Sequence, residues 1–181
     1  MRPKSYSTEG IVLARKKYSE ADRIISILTR TYGKMSYIAK GVRYPKSRKR
    51  GSLEVFSYIK FQAVNIKSIP LITETQMIDS FQEMRKDLRK VSVGYFFTEV
   101  IGRITRENET NEELFNILLN TLRKLKYTIS LKTLRNDFTY EVLTNLGFWP
   151  KGKILQNHDQ KLEEVLERNL STIRIGKKLV S

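Results

Sequence analysis

Cysteine is absent from the 181 residues, and histidine occurs once, as His158. Disulfides, a thiolate nucleophile and a zinc site built from about four Cys or His ligands are thereby excluded. Acidic residues are scarce: 19 Asp and Glu stand against 34 Lys and Arg, a formal charge of +15. Long apolar runs are missing too. No segment approaches the roughly 18 apolar residues of a spanning helix, and no apolar h-region follows the charged N-terminus. The expectation is a soluble, intracellular protein with no membrane partner. Neither a GxxxxGK[ST] segment nor a GxGxxG turn is present, so no nucleotide cradle is expected. Glu9, Glu20 and Asp22 have the spacing of no ion-binding loop, and His158 lies in a polar run, HDQK, that reads as exposed. No catalytic group, metal or cofactor is expected, and binding accounts better for the charge.

The basic excess is uneven. Residues 1–80 hold 16 basic and 6 acidic side chains, net +10, and residues 81–181 hold 18 and 13, net +5. Within Lys40–Arg50, KGVRYPKSRKR, six of eleven residues are Lys or Arg and none is acidic. Such a stretch attracts polyanions: DNA, RNA or an acidic membrane face.

Up to about residue 80 the apolar residues alternate. Tyr6 to Leu13, with Gly10 as a bulge or bend, Asp22 to Thr29, Lys34 to Ala39, Leu53 to Val64 and Ile69 to Ile78 read as five strands. Pro70 is tolerated near the start of the fifth. Short strands joined by tight turns point to a small barrel carrying the basic loop. From about Phe81 the period becomes helical. One stripe is Met84, Leu88, Val91, Tyr95, Thr98 and Ile101; a second is Leu114, Leu118, Thr121, Leu122 and Leu125 behind a Thr110-x-x-Glu113 capping box. A third is Leu131, Leu134, Phe138, Val142 and Leu146, stopped by Gly147. Pro150 to Asp159 reads as loop, and Lys161 to Asn169 as a short helix. The fold class expected is α+β, with a barrel at 1–80 and a helical domain at 81–181.

A small barrel can let Lys and Arg track a backbone while rings stack on bases. Tyr32, Tyr37 and Tyr44 lie near the basic residues, and Tyr6, Phe56 and Tyr58 offer further rings, some of which must fill the core. The candidate nucleic-acid contacts are Arg15, Lys16, Lys17, Arg23, Lys34, Lys40, Arg43, Tyr44, Lys46, Arg48, Lys49 and Arg50.

Several short motifs resemble the RecO family of bacterial recombination mediators. They are Glu9 to Leu13 (EGIVL), the hook at Tyr18, Glu20-Ala21-Asp22-Arg23, Leu28-Thr29, Ala39-Lys40-Gly41, Pro45-Lys46-Ser47-Arg48, Leu53-Glu54 and Phe56. Leu143 to Phe148 (LTNLGF) resembles the family's helix end. The likeness is strong over 8–60 and colinear to about 150. It implies an OB-fold barrel followed by an all-helical domain, and non-enzymatic work. That work is binding of single- and double-stranded DNA, annealing of complementary strands, action with RecR, displacement of single-strand-binding protein and loading of RecA. It also implies a cytoplasmic, nucleoid-associated protein. The helical domain would take the acidic C-terminal tail of single-strand-binding protein, with Arg123, Lys126, Lys132 and Arg135 as rim candidates. Many members carry a four-cysteine zinc element after the LGF segment. Here Trp149-Pro150 runs into KGKILQNHDQ instead, and the chain is shorter than usual, so a trimmed short form is expected. Two other readings stay open: an OB-fold RNA-binding protein, and a basic adaptor that docks an acidic protein.

Overall fold

A computed structural model of the chain describes residues 3–66 and 68–166. The chain forms two compact units, one of residues 1–80 and 105–112, the other of 81–104 and 113–181. Strands fill the first and helices the second, so the fold class is α+β.

The first unit is a closed five-stranded barrel in the order β1-β2-β3-β5-β4. The strands are β1 (Ser5–Lys17), β2 (Arg23–Thr29), β3 (Gly33–Ala39), β4 (Tyr58–Val64) and β5 (Leu71–Asp79). One long strand makes closure possible. β1 pairs with β4 through Ser5–Ile11 and with β2 through Gly10–Lys17, so its two halves serve two neighbours. β3 meets β5 through a single parallel pair, Ile38 with Leu71, and Ile38 N–H also donates to Pro70 O at 2.8 Å. Val12, Ile25, Ile27, Tyr37, Ile59, Phe61 and Ile72 fill the barrel, all at most 1% exposed. Burying each such side chain is worth about 1.5–3 kcal/mol. The register shift in β1 falls between Val12 and Ala14, not at Gly10. Gly10 serves a different need: a Cβ there would collide with Ile27 and press to 3.3 Å from Phe61 Cε1.

The fourth strand starts at Tyr58, five residues after the Leu53 expected from alternation. Leu53, Val55 and Phe56 are buried all the same, but in turns. Phe56 takes φ 77°, and the backbone clips onto β1 through Phe56 N–H to Val12 O (2.9 Å) and Val12 N–H to Ser57 O (3.0 Å). Periodicity also gives no sign that residues 105–112 return to the barrel. Lys34 Nζ donates to Thr105 O at 2.6 Å, Asn108 N–H to Lys34 O at 2.9 Å and Ser36 Oγ to Glu107 Oε1 at 3.1 Å.

The second unit is helical: α1 (Gln82–Arg85), α2 (Leu88–Ile104), α3 (Glu112–Tyr127), α4 (Leu131–Asn145) and α5 (His158–Leu166). The expected stripe holds only in part: Met84, Thr98 and Ile101 are buried, but Leu88 and Tyr95 are 80% and 45% exposed, and α2 also buries Val93, Phe96, Phe97 and Val100. Two apolar series overlap on this helix, and the one with two phenylalanines hides more surface. Phe97 packs on Phe138 at 4.5 Å between ring centroids. On α3 the expected face is the buried face. The helix begins at Glu112, so Asn111 rather than Thr110 flanks it.

α4 ends as LTNLGF requires. Gly147 takes φ +79°, its N–H donates to Thr144 O (3.1 Å), and Phe148 N–H reaches back to Leu143 O (2.8 Å). These are the two bonds of a Schellman motif, and the left-handed position favours glycine. The loop that follows is tied by Trp149 Nε1–H to Lys153 O (2.9 Å) and by Gly152 N–H to Tyr140 Oη (2.7 Å). α5 starts at His158, three residues early, because Asn157 caps it: Asn157 Oδ1 accepts from Gln160 N–H at 3.1 Å. His158 is half-buried rather than exposed, and burial pushes its pKa down against the pull of Asp159 and Asp137. The expected Asn169 end of this helix lies outside the described residues. Among the described residues, no group of three or more His, Cys, Asp or Glu could hold a metal. A chelator should therefore leave the melting temperature of the purified chain unchanged. Stoichiometric zinc, or a chelator-dependent drop in that temperature, would contradict the packing account of this loop.

Candidate nucleic-acid interface

Strand register gathers much of the charge. Lys17 pairs with Arg23, and Arg23 in turn pairs with Ala39. The C-terminal end of β1, the start of β2 and the end of β3 thus lie side by side, which brings Arg15, Lys16, Lys17, Arg23 and Lys40 to one end of the barrel. The basic stretch leaves from that end.

This stretch is a folded element. Val42 and Leu53 insert into the barrel core, and successive turns run Tyr44 N–H to Gly41 O (3.2 Å), Ser47 N–H to Tyr44 O (3.0 Å) and Leu53 N–H to Lys49 O (3.2 Å). It is bonded to the β1–β2 turn as well. Gly41, at φ +65°, donates its N–H to Asp22 Oδ1 at 2.8 Å, and Arg43 N–H donates to Ala21 O at 3.0 Å. The Arg43 guanidinium donates to Glu20 O at 2.6 Å and to Ser19 O at 3.3 Å. The segments Glu20–Arg23 and Lys40–Arg43, distant in sequence, therefore make one junction. A pinned loop loses little conformational freedom when it binds.

Lys16, Lys17, Lys40, Lys46, Arg48 and Arg50 are exposed, with no ion-pair partner among the described residues. Arg23 sits among like charges. Burial lowers its pKa first, then Arg15, with Arg43 and Arg50 adding to the effect and Glu54 opposing it. Arg15 itself is ion-paired with Glu54.

Three of the expected contacts, Lys34, Arg43 and Lys49, are bonded within the chain. Lys34 lies five residues along β3 from Ala39, about 16 Å away, and its ammonium is held by Thr105 O. Burial lowers its pKa, with Glu107 opposing. Arg43 donates from its guanidinium to the turn carbonyls of Ser19 and Glu20. Lys49 Nζ donates to Ile72 O at 3.2 Å, and burial lowers its pKa. Among the rings, Tyr6, Tyr37, Phe56 and Tyr58 are buried, and Tyr32 packs edge-on against Tyr6 at 4.7 Å. Tyr44 is 61% exposed. Tyr18 is 57% exposed, and charge density alone does not mark it. Its signal in the sequence is a ring directly after Lys16-Lys17, at the end of a strand.

In the helical unit, an open groove of about 480 Å³ lies at the α3–α4 turn, lined by Lys124, Tyr127, Thr128, Ser130, Thr133, Leu134 and Asp137. Of the four rim candidates, Arg123 and Lys132 are exposed but do not line it. Lys126 lies over the Phe81 ring at 5.0 Å. Arg135 is buried, bonded to Asp159 at 2.8 Å and stacked on Phe96 at 4.1 Å, so it is a core residue. Lys124 is the cation the groove has.

A closed barrel of this strand order, with a pinned cationic loop at one end, defines an OB-fold protein. Residues 1–81 match the family described as Recombination protein O N terminal, and residues 85–152 match Recombination protein O C terminal. The chain belongs to the RecO family. The DNA repair protein RecO of Alkaliphilus metalliredigens is 33% identical over 144 residues, which is 79% of this chain and 58% of that protein. The RecO of Dehalococcoides mccartyi is 32% identical over 161 residues, 89% of this chain and 64% of its own length. That of Roseiflexus is 30% identical over 151 residues, 83% of this chain and 53% of its own. The chain thus spans between about half and two thirds of the length of these relatives. Among the described residues, no helix is long and apolar enough to cross a membrane.

Proposed function

We propose that this protein is a non-enzymatic, DNA-binding mediator of recombination and repair that anneals complementary strands. The observation that carries the reading is the barrel end, where six exposed cations have no ion-pair partner among the described residues: Lys16 and Lys17 at the end of β1, and Lys40, Lys46, Arg48 and Arg50 on a loop pinned by Asp22 and Arg43. Lys and Arg there neutralise phosphates of both strands and release counterions, which lets two like-charged strands approach. The barrel, about 1–80, is the DNA-binding part, and the helical part, about 81–181, meets protein partners. Cofactor chemistry has no part in this. The setting is the cytoplasm, at the nucleoid, with RecR as a partner and RecA loaded onto strands cleared of single-strand-binding protein.

The acidic, Phe-ended tail of single-strand-binding protein is the proposed occupant of the α3–α4 groove. Its ring would rest near Leu134 and Tyr127, and its carboxylates near Lys124. Lys124→Glu should abolish the heat of tail-peptide binding, as should a peptide lacking the terminal Phe. Equal heat from wild type and Lys124→Glu would move the tail elsewhere.

Annealing of complementary labelled oligonucleotides, with and without single-strand-binding protein, tests the reading. Acceleration well above the spontaneous rate is expected in both cases. No acceleration, together with no binding to DNA at moderate salt, would favour the adaptor reading. Tighter binding to a matched RNA strand would favour the RNA one.

A further inference from the structure

The six tyrosines of residues 1–80 divide sharply: Tyr6, Tyr37 and Tyr58 are buried, Tyr32 is packed on Tyr6, and only Tyr18 and Tyr44 stand well out of the surface. Both of these lie at the cationic end. Tyr18 begins the β1–β2 turn, and its N–H donates to Asp22 O at 3.2 Å. Asp22 accepts the Gly41 N–H through its side chain. The Tyr44 ring rests against Gly41, where a Cβ would lie 3.5 Å from Tyr44 Cδ2 and 3.8 Å from Cε2. One chain of contacts, Tyr18–Asp22–Gly41–Tyr44, thus ties the Tyr18 backbone and the Tyr44 ring to a common junction, and both side chains are exposed. Exposed apolar side chains scattered singly are ordinary. Two large rings on one bonded junction, at the barrel end that carries cations with no ion-pair partner among the described residues, are a patch of defined chemistry.

We propose that Tyr18 and Tyr44 form a stacking platform for unpaired bases, which makes the barrel end favour single strands over duplex. The proposal rests on the reading that this end binds DNA. Cations alone do not supply the preference, because phosphates are present on both forms. A duplex buries its base faces in its own stack, whereas a single strand offers them to a ring. Tyr18 and Tyr44 therefore add affinity for one form only. Gly41 serves the junction through its φ of +65°, a left-handed backbone position that favours glycine.

The test compares Tyr18→Ala, Tyr44→Ala, the double variant and Tyr44→Phe on a labelled oligo-dT strand and on a duplex of equal length. Each Ala change should weaken single-strand binding about five- to hundredfold. Duplex affinity should stay within about twofold, and the salt slope should not change, because stacking releases no counterions. Tyr44→Phe should retain the wild-type preference. Photocrosslinking of wild-type protein to 5-iodouracil strands, read at the residue, should label Tyr18 or Tyr44, and this arm depends on no variant. Single-strand affinity unchanged by the double variant, or equal losses on both DNA forms, would overturn the platform while leaving DNA binding in place. Crosslinks confined to other residues would do the same. A wild-type chain that binds neither form would instead remove the DNA reading itself, and the platform with it.

Discussion

Changing Lys16, Lys17, Lys46, Arg48 and Arg50 together to Glu should weaken single-strand binding by at least about a hundredfold at moderate salt. The melting temperature should hardly move, because these side chains are exposed and hold no ion-pair partner among the described residues. The dependence of log affinity on log salt should become shallower. The change should be about 0.7 for each phosphate left without its cation on a single strand, and about 0.9 on duplex. Arg43→Glu and Lys49→Glu should behave differently. Arg43 bonds the carbonyls of Ser19 and Glu20, and Lys49 bonds that of Ile72. Those two changes should lower the melting temperature, and any weaker binding would follow from a loosened loop. Unchanged affinity and slope in the five-residue variant would remove this end of the barrel from the footprint.

Gly33→Ala should destabilise the barrel unit by at least about 2 kcal/mol. Gly33 takes φ +70°, a region in which a non-glycine residue costs about 1–3 kcal/mol. An added Cβ would also overlap the Glu109 carbonyl, lying 2.6 Å from its carbon. The change therefore strikes the seat of residues 105–112 on the β2–β3 turn. Gly51→Ala is the control, since nothing lies within 4 Å of a Cβ there. Denaturant unfolding of both variants checks this. A Gly33→Ala midpoint as high as that of wild type would mean that 105–112 does not pack on this turn in solution.

Alternation in the sequence locates all five strands, because each has one series of residues facing a closed core. It overruns at the fourth, where Leu53, Val55 and Phe56 are buried by turns that share the apolar content of a strand. Helical spacing finds the buried faces of α3 and most of α4 but only part of that of α2, where Thr98 and Ile101 are buried while Leu88 and Tyr95 face solvent. The return of 105–112 to the barrel is invisible, since it depends on Lys34 and Gly33 meeting backbone far along the chain. For the site, charge density alone marks the cationic end of the barrel. It does not separate cations that hold the loop, Arg43 and Lys49, from those that face solvent, because that division is made by carbonyls of other segments. Nor does it show Lys34 to be remote or Arg135 to be buried on Phe96. Motif likeness, in contrast, picks out Glu20–Arg23 and Ala39–Gly41, and their direct bonding gives those motifs a physical role.

Hydrogen exchange of the backbone, measured with and without a saturating single strand, tests the central claim most directly. New protection is expected in residues 14–23 and 40–50, the β1–β2 turn and the basic loop, with little change across α2 to α5. Protection confined to the helices, or to the opposite β2–β3 end around Lys34, would contradict a DNA-binding face built on the Asp22–Gly41 junction.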